Sequence, residues 1–293
     1  MKKFLLWGIL ALTIASATHA QTGVYVPQLA SFDNAMLNLM STYNVPGAQL
    51  AITRQGRLVY NRGFGFADTA TRDSVYPHSI FRVASVSKTI TAVACMKLFE
   101  QGLLILDARV FGSNGILNDE IYKNIIDPKD TLITVRMLLH HSGGWNRNIS
   151  GDPMFNAWNI ASTMGVPAPP SPEDVIRYVL ENKYLDFTPG TQSHYSNFGY
   201  CVLGRVIEKI TGLTYENYVR SNIFLPLELQ IFSWEKICLL TGYPMRLIIM
   251  IIREHHRLFL FITIQLRFPG LMGDSTWSLW MHMADGLLRL KIY

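Results

Sequence analysis

Gly47 to Arg54 and Arg57 to Gly65 read as two strands of a β-hairpin folded across Gln55-Gly56, with Leu50, Ile52, Leu58 and Val59 available for burial. A hairpin alone is marginal in water, because two strands cannot enclose an apolar face. It therefore needs further strands or covering helices, and the chain that follows supplies mostly helices. Asp33 to Tyr43 is amphipathic, with Ala35, Met36, Leu39 and Met40 on one face. Thr134 caps a short helix that stops at Ser142-Gly143-Gly144. Ser171-Pro172-Glu173-Asp174 combines a cap, a first-turn proline and N-terminal acids, a strong helix start. Two early strands, many helices and an expected late return to the sheet make an α+β fold, with helices against an antiparallel sheet.

Two short motifs carry the chemistry. In Ser85-Val86-Ser87-Lys88 the serine and lysine are three apart, so on a helix they share a face and the amine can sit beside the hydroxyl. That is one way for a weak nucleophile to gain a base without histidine. Ser85 also opens an apolar helical run through Ile90, Val93, Ala94, Leu98 and Phe99, stopped by Gly102. Backbone N–H groups and the positive end of the helix dipole then lie where an oxyanion would develop. Tyr195-Ser196-Asn197 follows the turn Thr188-Pro189-Gly190-Thr191 and precedes a helix from Phe198 to Thr211 ended by Gly212. Its tyrosine offers a second proton carrier and its asparagine an amide clamp. Ser233-Trp234-Glu235-Lys236, Tyr122-Lys123-Asn124 and Tyr215-Glu216-Asn217 repeat the patterns without these settings and are read as decoys.

Other readings are plainer. His140-His141-Ser142 is a helix end with its turn, and adjacent histidines point apart, which disfavours a zinc pair. Metal ligands and cofactors are not expected. Cys95 and Cys201 lie on apolar helical faces as small buried thiols, and three cysteines with Cys238 make no disulfide framework. Arg82 is a surface residue or a clamp for a substrate carboxylate. The net charge of +5 becomes +3 once Lys2 and Lys3 leave, too mild to indicate a nucleic-acid partner. They leave because residues 1–20 read as a secretory signal peptide: Met1-Lys2-Lys3, a short apolar stretch, then Thr18-His19-Ala20 before Gln21. The product is expected in the periplasm or secreted, with no stable membrane span after cleavage.

Three blocks in order resemble the β-lactamase-related serine hydrolases: Phe81 to Lys88, Leu138 to Gly144, and Phe187-Thr188-Pro189-Gly190 through Tyr195-Ser196-Asn197-Phe198-Gly199-Tyr200. That superfamily spans class C β-lactamases, D-alanyl-D-alanine carboxypeptidases and related esterases, and the resemblance runs from Val45 to Leu227. It implies a β-lactamase or penicillin-binding transpeptidase-like fold and a small-molecule or peptide substrate. It further implies Ser85 as the acylated nucleophile, Lys88 as its proton acceptor or relay, Tyr195 as the shuttle to the leaving group, and Asn197 as a substrate-binding amide. Two functions stay open: a hydrolase of β-lactams, D-Ala peptides or esters, and a defective remnant that binds or is acylated without turnover.

The remnant stays open because the resemblance stops. The superfamily needs a third motif, Lys-Thr-Gly or His-x-Gly, on a late strand, and nothing after Asn197 matches it. Leu247 to Ile252 and Leu258 to Ile262 are bare apolar runs split by Arg253-Glu254-His255-His256-Arg257. A reading frame shifted near Leu227-Glu228 explains this texture. Trp280 to Ala284 require TGG, ATG, CAY, ATG and GCN, and sliding the frame one nucleotide upstream forces Asp, Ala, His or Tyr, then Gly. With permissive third bases the string continues to Asp-Ala-His-Gly-Gly-Trp, which looks like the family's continuation. Three parts are thus expected: a signal peptide at 1–20, an incomplete hydrolase domain at 21–227, and a tail at 228–293 without native fold. The C-terminal strands and last helix are then lost or non-native.

Overall fold

The computed structural model describes residues 21–81 and 84–227, together with the backbone of strands at 259–264, 277–284 and 287–292. These residues fall into two compact units, one holding the early and late strands and the other spanning Val83–Tyr243. The signal-peptide reading, Arg82, Cys238 and the decoy at Ser233 lie outside the described residues.

The first unit runs β1 (Gln21–Gly23), α1 (Ala30–Tyr43), β2 (Gly47–Arg54), β3 (Arg57–Asp68) and β4 (Asp73–Ser74). The sheet order is β1-β3-β2, antiparallel throughout, with β4 on the far end of β3. Gln55 and Gly56 both adopt positive φ, 50° and 71°. A two-residue turn needs that geometry to match the twist of its strands, so the expected turn is found where glycine allows it. Ile52 faces Tyr60, and the inward set is Ala48, Leu50, Ile52, Tyr60 and Phe64, closed by Met36 and Met40 of α1.

Two expectations need correcting. Leu58 and Val59 are 50 % and 39 % exposed. The register shifts between Ile52 and Thr53, which pair with Tyr60 and Leu58 and leave Val59 without a partner in the ladder, and Tyr60 and Phe64 take the inward places. Helix α1 also begins at Ala30 rather than Asp33, which puts Asp33 inside and Ala35 outside. Asp33 Oδ1 accepts hydrogen bonds from Tyr60 Oη and Arg62 Nη1, each at 2.6 Å, so the buried carboxylate is paired. Burial of such a charge is tolerable only with partners of this kind.

The late strands β5 (Phe259–Ile264), β6 (Trp277–Ala284) and β7 (Leu287–Ile292) form their own antiparallel sheet in the order β5-β6-β7. Among the described residues no ladder joins it to β2 or β3.

The second unit contains α2 (Ser87–Glu100), α3 (Val135–Leu139), α4 (Ala157–Met164), α5 (Pro172–Asn182), α6 (Asn197–Thr211) and α7 (Tyr215–Val219). Helix α6 is its centre, packing on α2, α3, α5 and α7 through fully buried Phe198, Val202, Leu203, Val206 and Ile207. The caps fall where the sequence places them. Thr134 Oγ1 accepts from Met137 N–H, Ser171 and Asp174 form a reciprocal capping box, and Gly212 ends α6 at φ 66°. Cys95 is free and fully enclosed, and burial pushes its thiol up to about 12. Cys201 is also free but only half-buried at its surface. Trp145 packs edge-on against Phe198 with ring centroids 4.7 Å apart, so it is a core residue, while Tyr184 is exposed. The decoy tyrosines are spent on packing: Tyr122 is buried, and the Tyr215 hydroxyl pairs with Thr91 at 2.8 Å.

Candidate active site

All four residues singled out from the motifs belong to the second unit and meet there. Ser85 lies in a short 3-10 turn, Ala84–Val86, that leads into α2, and Lys88 follows one turn later. Ala84, just before it, holds φ at 42°, a left-handed value that costs a side-chain-bearing residue energy. Such strain persists where the surroundings over-determine it, often at functional turns. Tyr195 ends the loop before α6 and Asn197 is the first residue of that helix, held by Ser196, whose Oγ accepts from Gly199 N–H at 3.0 Å.

Ser85 Oγ sits between two polar groups. Tyr195 Oη donates to it at 2.5 Å and Lys88 Nζ at 3.3 Å. Lys88 Nζ also donates to Asn197 Oδ1 at 2.5 Å. The ammonium lies 4.7 Å from the Tyr195 ring centre and 5.7 Å from that of Tyr200. The serine is therefore in reach of two proton carriers, and the lysine is held by an amide oxygen and two aromatic faces.

Asn197 is more occupied than a free substrate clamp would be. Its Oδ1 is engaged by Lys88, and its Nδ2 donates to Asp152 Oδ2 at 2.7 Å. One of the two Nδ2 hydrogens stays available for a substrate.

The sequence reading passed over four residues of this neighbourhood. His141, described above as part of a helix end, does occupy that end, at φ 58° just past α3. Its ring also lies 4.8 Å from the Tyr195 ring and 5.1 Å from that of Tyr200. Nδ1 accepts the Ser196 N–H at 3.2 Å, which only a ring unprotonated at Nδ1 can do. Burial first, and the Lys88 charge second, hold the His141 pKa below the usual imidazole value. The second residue, Tyr200, donates from its hydroxyl to Leu139 O at 3.2 Å, and burial raises its pKa. It could have been found, since it stands one helical turn after Asn197. The third, Arg147, is exposed and places its guanidinium 5.1 Å from the Tyr195 ring centre, on a loop pinned by Asp186 Oδ2, which accepts from Asn146 N–H and Ser150 Oγ. The fourth, Asp152, sits in Asp-Pro, which reads locally as a turn start and gives no sign of its distant partner.

The arrangement can place an acyl group on Ser85 Oγ, with a lysine and a phenol positioned to move protons. Among the described residues no group of three or more His, Cys, Asp or Glu could hold a metal ion. No helix of the described residues is long and apolar enough to cross a membrane.

Comparison with known proteins follows the same residues. The sequence model of the family described as Beta-lactamase matches residues 32–235. Protein flp of Staphylococcus aureus (strain N315) is 26 % identical over 200 residues, covering 66 % of this chain and 36 % of that protein, so the chain spans little more than a third of that relative. The octameric penicillin-binding protein homologue from Pyrococcus abyssi is 32 % identical with a TM-score of 0.54, covering 68 % of this chain and 43 % of that one. EstCE1, a hydrolase with promiscuous acyltransferase activity, shares the fold at 24 % identity and a TM-score of 0.55, over 69 % of this chain and 52 % of that one.

Proposed function

The chain belongs to the Beta-lactamase family, and from that premise we propose that it is a serine hydrolase working through an acyl-enzyme on Ser85. The observation that carries the reading is the pair of proton carriers on Ser85 Oγ, Tyr195 at 2.5 Å and Lys88 at 3.3 Å. Once Lys88 has released one ammonium proton to solvent, Ser85 Oγ attacks the substrate carbonyl carbon and its proton passes to the free amine. Tyr195 then protonates the leaving amine or alkoxide, and the C–N or C–O bond breaks. Water, deprotonated by the same pair, attacks the acyl carbon and returns Ser85. Asn197 orients the substrate amide with its remaining Nδ2 hydrogen. The substrate is a β-lactam, a D-Ala-D-Ala peptide or an ester. We propose that this action takes place in the periplasm or outside the cell, a reading supported by the signal-like sequence of residues 1–20.

A second reading, a remnant that at most binds or is acylated without turnover, is favoured by one observation: among the described residues the late strands pair with one another and not with β2 or β3. The Ser85 N–H supplies half of an oxyanion hole, and in this family the other half comes from a late strand. Loss of one such donor costs about 10²–10³ in rate. We attribute the loss to a shifted frame from Leu227-Glu228. What supports that attribution is the change of sequence texture after Leu227 and the Asp-Ala-His-Gly-Gly-Trp string that the slid frame yields, while the family match itself runs on to residue 235. Sequencing the gene across codons 220 to 235 tests it, and an intact single frame there removes the explanation.

A fluorescent penicillin separates the two functions. Labelling of the parent but not of Ser85→Ala, followed by release of the label, supports the hydrolase. Permanent labelling, or none, supports the remnant, and equal labelling of Ser85→Ala contradicts the assignment of Ser85.

A further inference from the structure

Asp152 is a carboxylate to which the proposed chemistry gives no task. It caps the turn Pro153–Phe155, and its two oxygens are divided between two partners. Oδ1 accepts the Met154 N–H at 3.0 Å, and Oδ2 accepts from Asn197 Nδ2 at 2.7 Å. The second contact joins residues 45 apart in sequence and leads straight to the lysine.

A side-chain amide has two ends of nearly equal size and opposite polarity. Asn197 can turn either toward Lys88. The ammonium is a donor only, so an NH2 group facing it would set donor against donor. The Asp152 carboxylate is an acceptor only, and from the other side it demands the NH2 end. Both neighbours therefore select one orientation, with the oxygen on Lys88 and the nitrogen on Asp152. Lys88 Nζ, held at 2.5 Å by that oxygen, is left 3.3 Å from Ser85 Oγ.

We propose that Asp152 is a positioning residue that locks the Asn197 amide, so that its oxygen holds Lys88 beside Ser85. The proposal rests on the reading of Ser85 as the acylated nucleophile. Asp152 touches neither the reacting atoms nor Lys88. It acts by denying Asn197 the flipped state.

The diagnostic variant is Asp152→Asn, because it separates the lock from the cap. Asparagine keeps the shape and can still accept the Met154 N–H with its oxygen. Its NH2 then faces the Asn197 NH2. Asn197 must flip to relieve that clash, and its own NH2 is driven toward Lys88. A purely capping role predicts that Asp152→Asn behaves as the parent. The double variant Asp152→Asn with Asn197→Asp restores every donor–acceptor match: residue 197 accepts from Lys88 and from residue 152, and residue 152 still caps.

Two readouts on the full chain test this. One is the rate of Ser85 acylation by a fluorescent penicillin. The other is the rate at which trinitrobenzenesulfonate modifies Lys88, read from tryptic peptides, since a modified Lys88 leaves Val83 to Lys97 uncut. Asp152→Asn is expected to slow acylation by about 10- to 100-fold, the range for losing a hydrogen bond to a charged group. It should also speed Lys88 modification, because the amine has lost its acceptor. The double variant should recover both. Parent-like rates in Asp152→Asn, or no recovery in the double variant, overturn the lock. If the parent is not acylated at Ser85, the hydrolase reading fails, and the Lys88 modification rates still decide the lock.

Discussion

Changing Tyr195 to phenylalanine removes one oxygen and leaves the ring, which separates two contributions that the site combines. The oxygen lies 2.5 Å from Ser85 Oγ and is the nearest proton carrier to it. The ring carries the Lys88 ammonium at 4.7 Å and the Arg147 guanidinium at 5.1 Å, and sits 4.8 Å from the His141 ring. A positioned acid–base group contributes about 10²–10⁴ in rate, or about 3–5.5 kcal/mol of barrier. Each cation–ring contact at a partly exposed site is worth about 0.5–1 kcal/mol. Tyr195→Phe is therefore expected to slow Ser85 acylation by about 10²–10⁴ with an unchanged thermal midpoint. Tyr195→Ala should add about tenfold more, from the two lost cation contacts together. Acylation by a fluorescent penicillin is the assay, because it reports the first half-reaction and shares every other site element between variants. A Tyr195→Phe rate within about threefold of the parent, less than 1 kcal/mol of barrier, would refute the proton-carrier assignment.

Two further predictions concern stability. Asp130 is buried with both carboxylate oxygens unpartnered, and burial first, with the Asp127 charge second, raises its pKa from 3.8 to about 7. The folded protein thus keeps a proton that the unfolded chain releases, so Asp130 favours folding at low pH, and this contribution is lost as pH rises through about 7. The loss begins at the unfolded value of 3.8 and totals roughly 4 kcal/mol by the time pH passes 7, at 1.36 kcal/mol per unit; urea unfolding at pH 5 and pH 8 covers about two of those units and should show roughly 2.5 kcal/mol of it in the parent and not in Asp130→Asn. Arg62→Met leaves the Asp33 carboxylate buried with Tyr60 alone, and should cost about 3–5 kcal/mol in the same unfolding assay. A cost under about 1 kcal/mol, the worth of an exposed pair, would show that the pair contributes little.

What was legible in the sequence is what local chemistry decides. The Gln55-Gly56 turn needs two left-handed residues, Ser171 to Asp174 satisfies its own helix end, and Gly212 accepts the positive φ that stops α6. The spacing of Ser85 and Lys88 is likewise local, since three residues on one helical path bring the two side chains together. What escaped depends on partners far along the chain. Asp33 only opens the amphipathic run in the sequence, and its partners Tyr60 and Arg62 lie 27 and 29 residues on. His141 is a helix end by its own residues, and joins the site only because Ser196, 55 residues later, donates to its ring. Asp152 has the same character. Leu58 and Val59 are exposed because a register shift near the turn decides which β3 residues face inward, and alternation alone does not reveal it.

The central claim is that Ser85 carries the acyl group. The direct test is to mix the full chain with a penicillin or an activated ester, quench in acid, and locate the added mass within the tryptic peptide Val83 to Lys88. That peptide contains two serines, Ser85 and Ser87, so the position is informative. The account predicts the mass on Ser85 alone, and its disappearance in Ser85→Ala. An adduct on Ser87, or one that survives in Ser85→Ala, would contradict it.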